Sequence, residues 1–455
     1  MSQTHTILGK IWSALRGSDE LLGQVQETGQ GAIPSVFAVT DFAAASIASA
    51  GIALAEFVER RGGAKAGVIV DRRLSSFWFA KSIRPTGWSL PPQWDPIAGN
   101  YQTKDGFIRL HTNAAHHRAA CLRVLACHEN SHSVANAVRS WDAETLQEAI
   151  VAEGGVAAKM LSADEWSTQP QGQAVGREPF IHWETTSARR LRSFGRPDRP
   201  LEGLRVLDLT RILAGPIATR FLAAYGADVL RIDPPDWDEP AVLPEVTPGK
   251  SRARLDLTNT EDRRIFTQLI AEADVIVHGY RGDALEKLGF GESARLKINS
   301  NLIDVALNAY GWTGPWAKRR GFDTVVQMST GLAKEEMRYA KASSPQQLPV
   351  QALDYGTGHM MAAAVLRALC EAQNGTGSTI RFSLARTAAE VASFSGQAQG
   401  PLAAESTADL QEVVEHTHWG PARRLKPPLR VGDLAFEFSR LAGPLGSDRP
   451  AFSTR

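Results

Sequence analysis

The chain has 455 residues, of which 43% are hydrophobic and 22% charged, a composition typical of a soluble protein with more than one domain. The formal net charge of +1 excludes bulk electrostatic attraction to nucleic acid or to an acidic membrane surface. Three cysteines without a CxxC pair predict a reducing compartment. The N-terminus lacks a charged start followed by an apolar core, so we expect a cytoplasmic protein.

The first two hundred residues alternate helical and short strand-like patterns. The longest uncharged run, Phe42–Ala55, is shorter than the roughly 20 residues of a membrane span, so it predicts a buried core helix. The Gln-, Ser-, Arg- and Pro-rich segment 167–200 is the best linker candidate. The other predictions are helices at about 7–15, 41–61, 114–126 and 140–155, and strands at 66–74 and 105–113.

From residue 201 the pattern becomes β-α-β, which predicts right-handed crossovers and a mostly parallel sheet. The predicted strands are 204–209, 228–232, 253–257, 274–278 and 302–306, and the predicted helices are 216–226, 260–272 and 283–298. The Gly- and Pro-rich tail after about 397 is expected to be irregular.

The fold class predicted from this order is α/β: a Rossmann-like, mostly parallel sheet with helices on both faces, plus a smaller α/β domain. Three parts follow. They are an N-terminal half over 1–200, with the Ala-rich helix and the small domain; a Rossmann-like domain over 201–340; and a last part over 341–455, with a second Asp-led helix and the irregular tail.

The turn after the first strand of the β-α-β region predicts an anion site. A helix N-terminus offers unpaired N–H groups and a partial positive charge, and ligands of open α/β sheets lie at the carboxyl ends of the strands. Pro216 fits the first helical position, and Gly215 would let a ligand approach the backbone. The alternative is a purely structural βα turn.

Two segments of the chain resemble each other. Asp41 and Asp354 each precede an aromatic residue and open a small-residue helix, which ends at glycines and is followed by an apolar strand. Two unrelated Ala-rich helices are the simpler alternative.

Five blocks then occur in a fixed order: "LEGLRVLDLTRILAGPIATRFLAAYGADVLRID", "GKSRARLDL", "ADVIVHGYRGDALEKLGFG", "NLIDVALNAYGWTGP" and "GFDTVVQMSTGLA". Together they resemble family III CoA-transferases (CaiB/BaiF-type), a group related to formyl-CoA transferase and α-methylacyl-CoA racemase. The resemblance implies a Rossmann-like domain that binds coenzyme A or acyl-CoA, a smaller domain, and a homodimer of interlocked subunits. It implies no metal.

The order of the segments differs from that of the family, where the Rossmann part comes first. Here residues 41–166 look like the Asp-led helix and the small domain, and a second Asp-led helix follows the Rossmann part. The chain reads either as two partial copies whose pieces assemble one module or as a permuted fusion.

The resemblance also assigns candidate CoA contacts, while Gly279 and Pro234 replace an Asn and an Arg usual in the family. The candidates are Ile212, Leu213, Ala214, Gly215, Pro216, Lys250, Leu255, Gly279, Tyr280, Arg281, Lys287 and Arg320.

The resemblance implies that a transferase of this family uses an aspartate as nucleophile, which forms a mixed anhydride with the acyl group. On our alignment Arg386 and, in the first repeat, Leu74 occupy its position, with Asp71 three residues earlier. The racemase-type members use a His and an Asp, and here Phe322 replaces the His. Asp354 is the predicted acid–base group, or only a helix N-cap, and Asp323 is the second candidate.

The predicted function is CoA transfer between acyl-CoA thioesters and small carboxylic acids. The alternatives are a catalytically inactive CoA-binding or partner subunit, and an acyl-CoA isomerase or racemase.

The motif "HENSH" at 128–132 fits the H-E-x-x-H pattern of zinc proteases, but weak helix formers inside it favour a solvated loop. The cluster of His111, His116 and His117 is interpreted as polar decoration of a strand–helix junction.

Overall fold

The computed structural model describes residues 2–188, 194–280, 283–396 and 400–453. The strands are Val25–Thr28, Val68–Asp71, Ile83–Pro85, Gly99–Gln102, Phe107–Leu110, Ala157–Lys159, His182–Ser187, Arg205–Leu209, Asp228–Asp233, Lys250–Arg254, Val275–His278, Ile303–Asn308, Thr376–Ser383, Leu410–Thr417, Gly420–Leu425 and Leu429–Val431. The α-helices are Gln3–Ala14, Val39–Arg60, Arg72–Trp78, Ala115–Leu125, Ser131–Val138, Ala143–Ala152, Ala163–Thr168, Pro170–Arg177, Ala214–Ala224, Leu243–Val246, Thr260–Glu272, Ala284–Lys287, Glu292–Ile298, Asp323–Ser329, Leu332–Tyr339, Ala352–Ala372 and Leu384–Ala392.

A seven-stranded sheet organises the molecule. Its spatial order is 250–254, 228–233, 205–209, 275–278, 303–308, 376–383 and 182–187. The strands are parallel except for the last, which pairs antiparallel with 376–383. The predicted α/β class with a mostly parallel sheet is therefore confirmed.

The predicted pattern of hydrophobic strands flanked by helices matches most of this sheet, but one strand begins earlier in the chain than predicted. The strand lies at Lys250–Arg254 and not at 253–257. Its charged residues hide it from a hydrophobic pattern, because Lys250 is buried beside Asp208 at 2.9 Å. Beyond it, Asp256 accepts hydrogen bonds from the backbone and hydroxyl of Thr258, a turn that ends the strand.

Two long buried helices, Val39–Arg60 and Ala352–Ala372, pack side by side. Gly356 makes this contact possible, because a Cβ there would lie 2.2 Å from the ring of Phe42. Each helix leads into a strand and a further helix, so both halves of the predicted repeat form a helix–strand–helix unit. The helix Val39–Arg60 is long and apolar enough to span a membrane, but 94% of its most apolar stretch is buried within the protein.

A smaller α/β unit surrounds the strands Gly99–Gln102, Phe107–Leu110 and Ala157–Lys159. The helices 115–125, 131–138 and 143–152 cover this sheet, and their apolar side chains form a core of their own. In the β-like segment 66–74, the strand ends at Asp71, whose carboxylate caps the helix Arg72–Trp78.

Two segments expected to be irregular contain regular structure. The predicted linker over 167–200 holds the helix Pro170–Arg177 and the antiparallel edge strand of the main sheet, so the linker prediction is wrong there. The predicted irregular tail holds three strands, one of which, Gly420–Leu425, pairs with Ile83–Pro85. The strands His182–Ser187 and Leu410–Thr417 lie at sheet edges and are mostly exposed or half-buried, so they carry little hydrophobic signal. The division at 200 and 340 stays a prediction.

Candidate functional site

Two adjoining cavities open where the central strands of the main sheet end. The first has a volume of about 1100 Å³ and the second about 1270 Å³, both including their open mouths. Four residues line both cavities: Ile212, Trp237, Phe322 and Asp354. The boundary between the two spaces therefore holds a carboxylic acid.

Close helix packing places Asp354 at this boundary. Asp354 lies in the first turn of the helix Ala352–Ala372. Four residues later, a Cβ on Gly358 would lie 2.4 Å from the carbonyl oxygen of Ala214, at the start of the helix Ala214–Ala224. The glycine thus lets the two helix N-termini meet beside the end of the first central strand.

Asp323 is the immediate neighbour of Asp354. The backbone N–H of Asp354 donates a hydrogen bond of 2.9 Å to Oδ2 of Asp323, and the side chain of Gln327 donates to Oδ1. Both carboxyl groups are almost fully buried. Burial raises the pKa of Asp323 to about 6. Burial and the negative charge of Asp323 raise the pKa of Asp354 well above its ordinary value.

The predicted anion turn has a different local structure from the one expected. The helix begins at Ala214, so Pro216 is its third residue and not its first. The side that a Cβ would occupy on Gly215 is filled by the side chain of Thr210, which leaves no ligand space there. The N–H of Ile212 donates a 2.9 Å hydrogen bond to the Glu239 carboxylate, so this amide is already occupied.

Ile212 itself adopts φ +66°, an unusual value for a β-branched residue. Such strain persists only where surrounding structure holds the backbone, and it occurs often at ligand sites. Ile212 lines both cavities, whereas Leu213 lines the first and Ala214 the second.

The second cavity carries positive charge. Arg211, Arg319 and Arg320 line it. The guanidinium of Arg211 lies 4.6 Å from the ring centre of Trp237 and donates a 3.1 Å hydrogen bond to the hydroxyl of Tyr280. Gly279, Tyr280 and Arg320, three of the predicted CoA contacts, line this space. An arginine placed against two aromatic rings suits a phosphorylated adenine nucleotide.

The N-terminal part of the chain closes the first cavity. Lys81, Trp94 and His111 line it together with Asp323 and Asp354. His111 stacks on Phe322 with ring centres 3.9 Å apart, and its Nδ1 is buried without a hydrogen-bond partner among the described residues. Burial and Arg109 lower the pKa of His111 to about 3, so the ring is neutral near pH 7. From sequence, this residue was interpreted as polar decoration of a strand–helix junction, but it is buried, with 5% exposed.

Besides Gly215 and Pro216, which line neither cavity, four of the predicted CoA contacts lie elsewhere or outside the described structure. Lys250 is fully buried and donates to Asp208, to Thr219 and to the carbonyl oxygen of Pro216. Leu255 belongs to a hydrophobic core. Lys287 is exposed and pairs with Asp283 at 2.9 Å. Arg281 lies outside the described residues. None of the three described residues lines either cavity.

The positions aligned with a family nucleophile also lie away from the cavities. Arg386 pairs with Glu390 at 2.8 Å, one turn along its own helix. Ser383 caps that helix, just as Asp71 caps the helix that carries Leu74. Neither Arg386 nor Leu74 lines either cavity.

The zinc-protease pattern does not form the required geometry. The helix begins at Ser131 with Asn130 as its N-cap, so His128 precedes it and His132 lies within it. The Nε2 of His132 is 3.1 Å from the side-chain amide of Asn136. The described ranges hold no cluster of three or more His, Cys, Asp or Glu side chains placed to bind a metal.

The family model for CoA-transferase family III matches residues 201–423. These residues belong to CoA-transferase family III. A probable fatty acyl-CoA transferase of Mycobacterium tuberculosis is 33% identical over 207 residues, which cover 41% of this chain and 51% of that protein. An acetyl-CoA:oxalate CoA-transferase of Acetobacter aceti is 34% identical over 161 residues, covering 33% of this chain and 40% of that protein.

Among solved structures, a crystal structure of the M. tuberculosis protein is 33% identical with a TM-score of 0.41, covering 44% of this chain and 57% of that one. The chain spans about half the length, or less, of the curated relatives that it matches. The resemblance to the CoA-transferase family, first inferred from five sequence blocks, is confirmed for residues 201–423.

Three side chains that line these cavities were not singled out from sequence. Arg211 lies just beyond the end of the first central strand, at Leu209, and that position is a signal for a ligand contact. Lys81 and Trp94 lie in the N-terminal part, more than a hundred residues before Arg205, where that strand begins. No local pattern connects them to it.

Proposed function

We propose that this protein transfers coenzyme A between an acyl-CoA and a carboxylic acid, with Asp354 as the carboxylate that takes up the acyl group. One observation carries the proposal: Asp354 lies where the arginine-lined cavity meets the cavity closed by the N-terminal part. CoA would occupy the second cavity, with its phosphates near Arg211, Arg319 and Arg320, and the acyl group would extend into the first cavity.

The reaction follows from this placement. Asp354 loses its proton to solvent, and an Oδ attacks the thioester carbonyl, so that a C–O bond forms, the C–S bond breaks and the CoA thiolate leaves. The thiolate then attacks the Asp354 carbonyl and releases the donor acid. The acceptor carboxylate attacks the thioester now held on Asp354 and releases the CoA thiolate. The thiolate then attacks the acceptor carbonyl of the new anhydride, which regenerates Asp354 and yields the new thioester.

The raised pKa of Asp354 constrains this chemistry. A protonated carboxyl is a poor nucleophile, so the reaction requires a pH high enough to ionise Asp354 against its raised pKa. The Asp323 charge that holds the proton also makes the ionised Asp354 more basic. Phe322 and Trp237, which line both cavities, limit the access of water to an anhydride.

Trapping tests the proposal. The protein is incubated with an acyl-CoA and hydroxylamine, and peptides are analysed by mass spectrometry for a hydroxamate at Asp354. Asp238→Asn is the matched control, because Asp238 lines the first cavity as an exposed carboxylate. An adduct on Asp354 in the wild type and the control supports the proposal, and an adduct on another carboxylate contradicts it.

A second candidate is proton transfer at the carbon next to the thioester. The raised pKa of Asp354 and the unpartnered Nδ1 of His111 in the same cavity favour it. Incubation of an α-branched acyl-CoA in D₂O distinguishes the two. Deuterium at the α-carbon without any exchange of CoA supports this candidate over transfer.

We also propose that the protein acts as a cytoplasmic homodimer. This part rests on the resemblance to the family and on Cys121, Cys127 and Cys370, which are all free thiols. Light scattering on the purified protein measures the mass, and the expected value is twice the 49.3 kDa of the chain.

A further inference from the structure

Lys81 brings a positive charge into the first cavity from the N-terminal part of the chain. It follows the helix Arg72–Trp78 and lines the same cavity as Asp354. Its ammonium donates one long hydrogen bond of 3.4 Å to the carbonyl oxygen of Ala241. Within the described part of the chain, no carboxylate forms an ion pair with it. An ammonium has three donors, so its capacity is mostly unused.

The backbone beside Lys81 is firmly held. The N–H of Ser82 donates a 2.9 Å hydrogen bond to Glu245, and the Ser82 hydroxyl donates a second to the same carboxylate. Glu245 is fully buried. The base of the lysine side chain is therefore fixed, and only its flexible stem must adjust to a ligand.

The carboxylates that face this cavity are already engaged, apart from the Asp323–Asp354 pair. Asp95 pairs with Arg118 at 2.8 Å, Glu239 with Arg231 at 2.6 Å, and Glu245 with Arg220 and Arg424. Asp238 is exposed and accepts the backbone N–H of Glu239. Lys81 thus stands out as a cation that lacks a counter-ion in the described structure.

Burial lowers the pKa of Lys81, and the nearby charge of Glu245 opposes this shift only in part. A bound anion beside the ammonium would raise the pKa of Lys81 again. The second cavity already offers three arginines for the phosphates of CoA, so an anion in the first cavity must come from the acyl group or the acceptor.

Resting on the CoA transfer proposed above, we propose that Lys81 binds the distal carboxylate of a dicarboxylic acyl group while its thioester end lies at Asp354. Lys81 is then a specificity-determining residue for dicarboxylic over monocarboxylic acyl groups. It lies outside residues 201–423, the region that matches the family model.

Succinyl-CoA and butyryl-CoA test this proposal, because both acyl groups have four carbons and differ only in the distal carboxylate. Calorimetry with the full chain is expected to show about tenfold tighter binding of succinyl-CoA by the wild type. Lys81→Met removes that preference, and Lys81→Arg keeps part of it. Lys65→Met, an exposed lysine of the same N-terminal part, leaves it unchanged.

The outcomes separate the two proposals. Equal affinity of the wild type for the two thioesters overturns the role of Lys81, even if Lys81→Met fails to fold. An equal loss of affinity for both thioesters in Lys81→Met also overturns it, since the lysine would then contact a part of the ligand that both thioesters share. If neither thioester binds the wild type, the proposed function itself fails.

Discussion

The backbone N–H of Asp354 donates a hydrogen bond to the Asp323 carboxylate across 2.9 Å, so one buried acid helps to hold the other in place. Asp41, the matching residue of the first repeat, has a different partner. Its carboxylate accepts a 3.0 Å hydrogen bond from Arg72 and is thereby neutralised. Within the described residues, the two Asp-led helices therefore offer one carboxylate paired with a cation and one whose pKa is raised by a nearby acid.

Asp354→Asn is expected to lower the rate of CoA transfer by at least about 10³-fold, because an amide cannot form the anhydride. The affinity for CoA stays close to that of the wild type, since the CoA contacts proposed here lie on other side chains. Transfer is measured by mass spectrometry of the acyl-CoA products and binding by calorimetry. A variant with wild-type turnover would rule out Asp354 as the nucleophile.

Asp323→Asn is expected to shift the acid limb of the kcat/KM profile to lower pH. The charge of Asp323 raises the pKa of Asp354, and an amide removes that charge while it can still accept the backbone hydrogen bond. Asp238→Asn, on the rim of the same cavity, serves as the control and keeps the wild-type profile. An unchanged limb in Asp323→Asn would show that the two acids are not coupled.

The same acids make the fold less stable at higher pH. The pKa of Asp323 rises from 3.8 to about 6 on folding, so the native state binds more protons than the unfolded state between these values. Its contribution is present at low pH and is lost as the pH rises through about 6. Urea unfolding at pH 4.5 and 7.5 is expected to show a smaller loss of stability on raising the pH for Asp354→Asn than for the wild type. Equal losses in the two proteins would contradict the coupling.

Lys250→Met is expected to destabilise the fold by about 3–5 kcal/mol, because it leaves the fully buried Asp208 carboxylate without its cation. The free energy of unfolding from urea titrations measures the effect. CoA affinity, measured below the unfolding transition, should be unaffected. A loss of CoA affinity without a loss of stability would restore Lys250 as a ligand contact.

Arg211→Gln is expected to weaken CoA binding about tenfold and to reduce the salt dependence of binding. Its guanidinium lies between Trp237 and Tyr280 in the second cavity, where a phosphate would replace water. Calorimetry at two salt concentrations measures both effects. Lys287→Gln is the control, because that lysine is exposed and lines neither cavity. Equal effects in the two variants would argue against the placement of CoA.

The sequence predicted the sheet well where hydrophobic strands alternate with helices, as at 205–209 and 275–278. It failed where ion pairs replace hydrophobic burial. The strand Lys250–Arg254 buries charged side chains, and the edge strand His182–Ser187 is polar and mostly exposed. Both are strands because of their partners, and partners distant in the chain leave no local pattern.

The site was predictable only in part. The Asp-led helix and the residues after the first strand follow local rules of helix N-termini and parallel sheets, and Asp354 and Ile212 do line the cavities. Lys81 and His111 could not be placed, because only the folded chain brings them over the sheet. The space beside Gly215 was misjudged since the side chain of Thr210 fills it.

The antiparallel pairing of 182–187 with 376–383 has a consequence for biosynthesis. The ribosome makes the earlier strand long before its partner, and the intervening chain forms the other five strands of the sheet. A nascent chain therefore carries 182–187 as an unpaired, polar strand until 376–383 has been made, with Glu184 as a charge that discourages wrong pairing. The main sheet is completed only after that last strand has emerged.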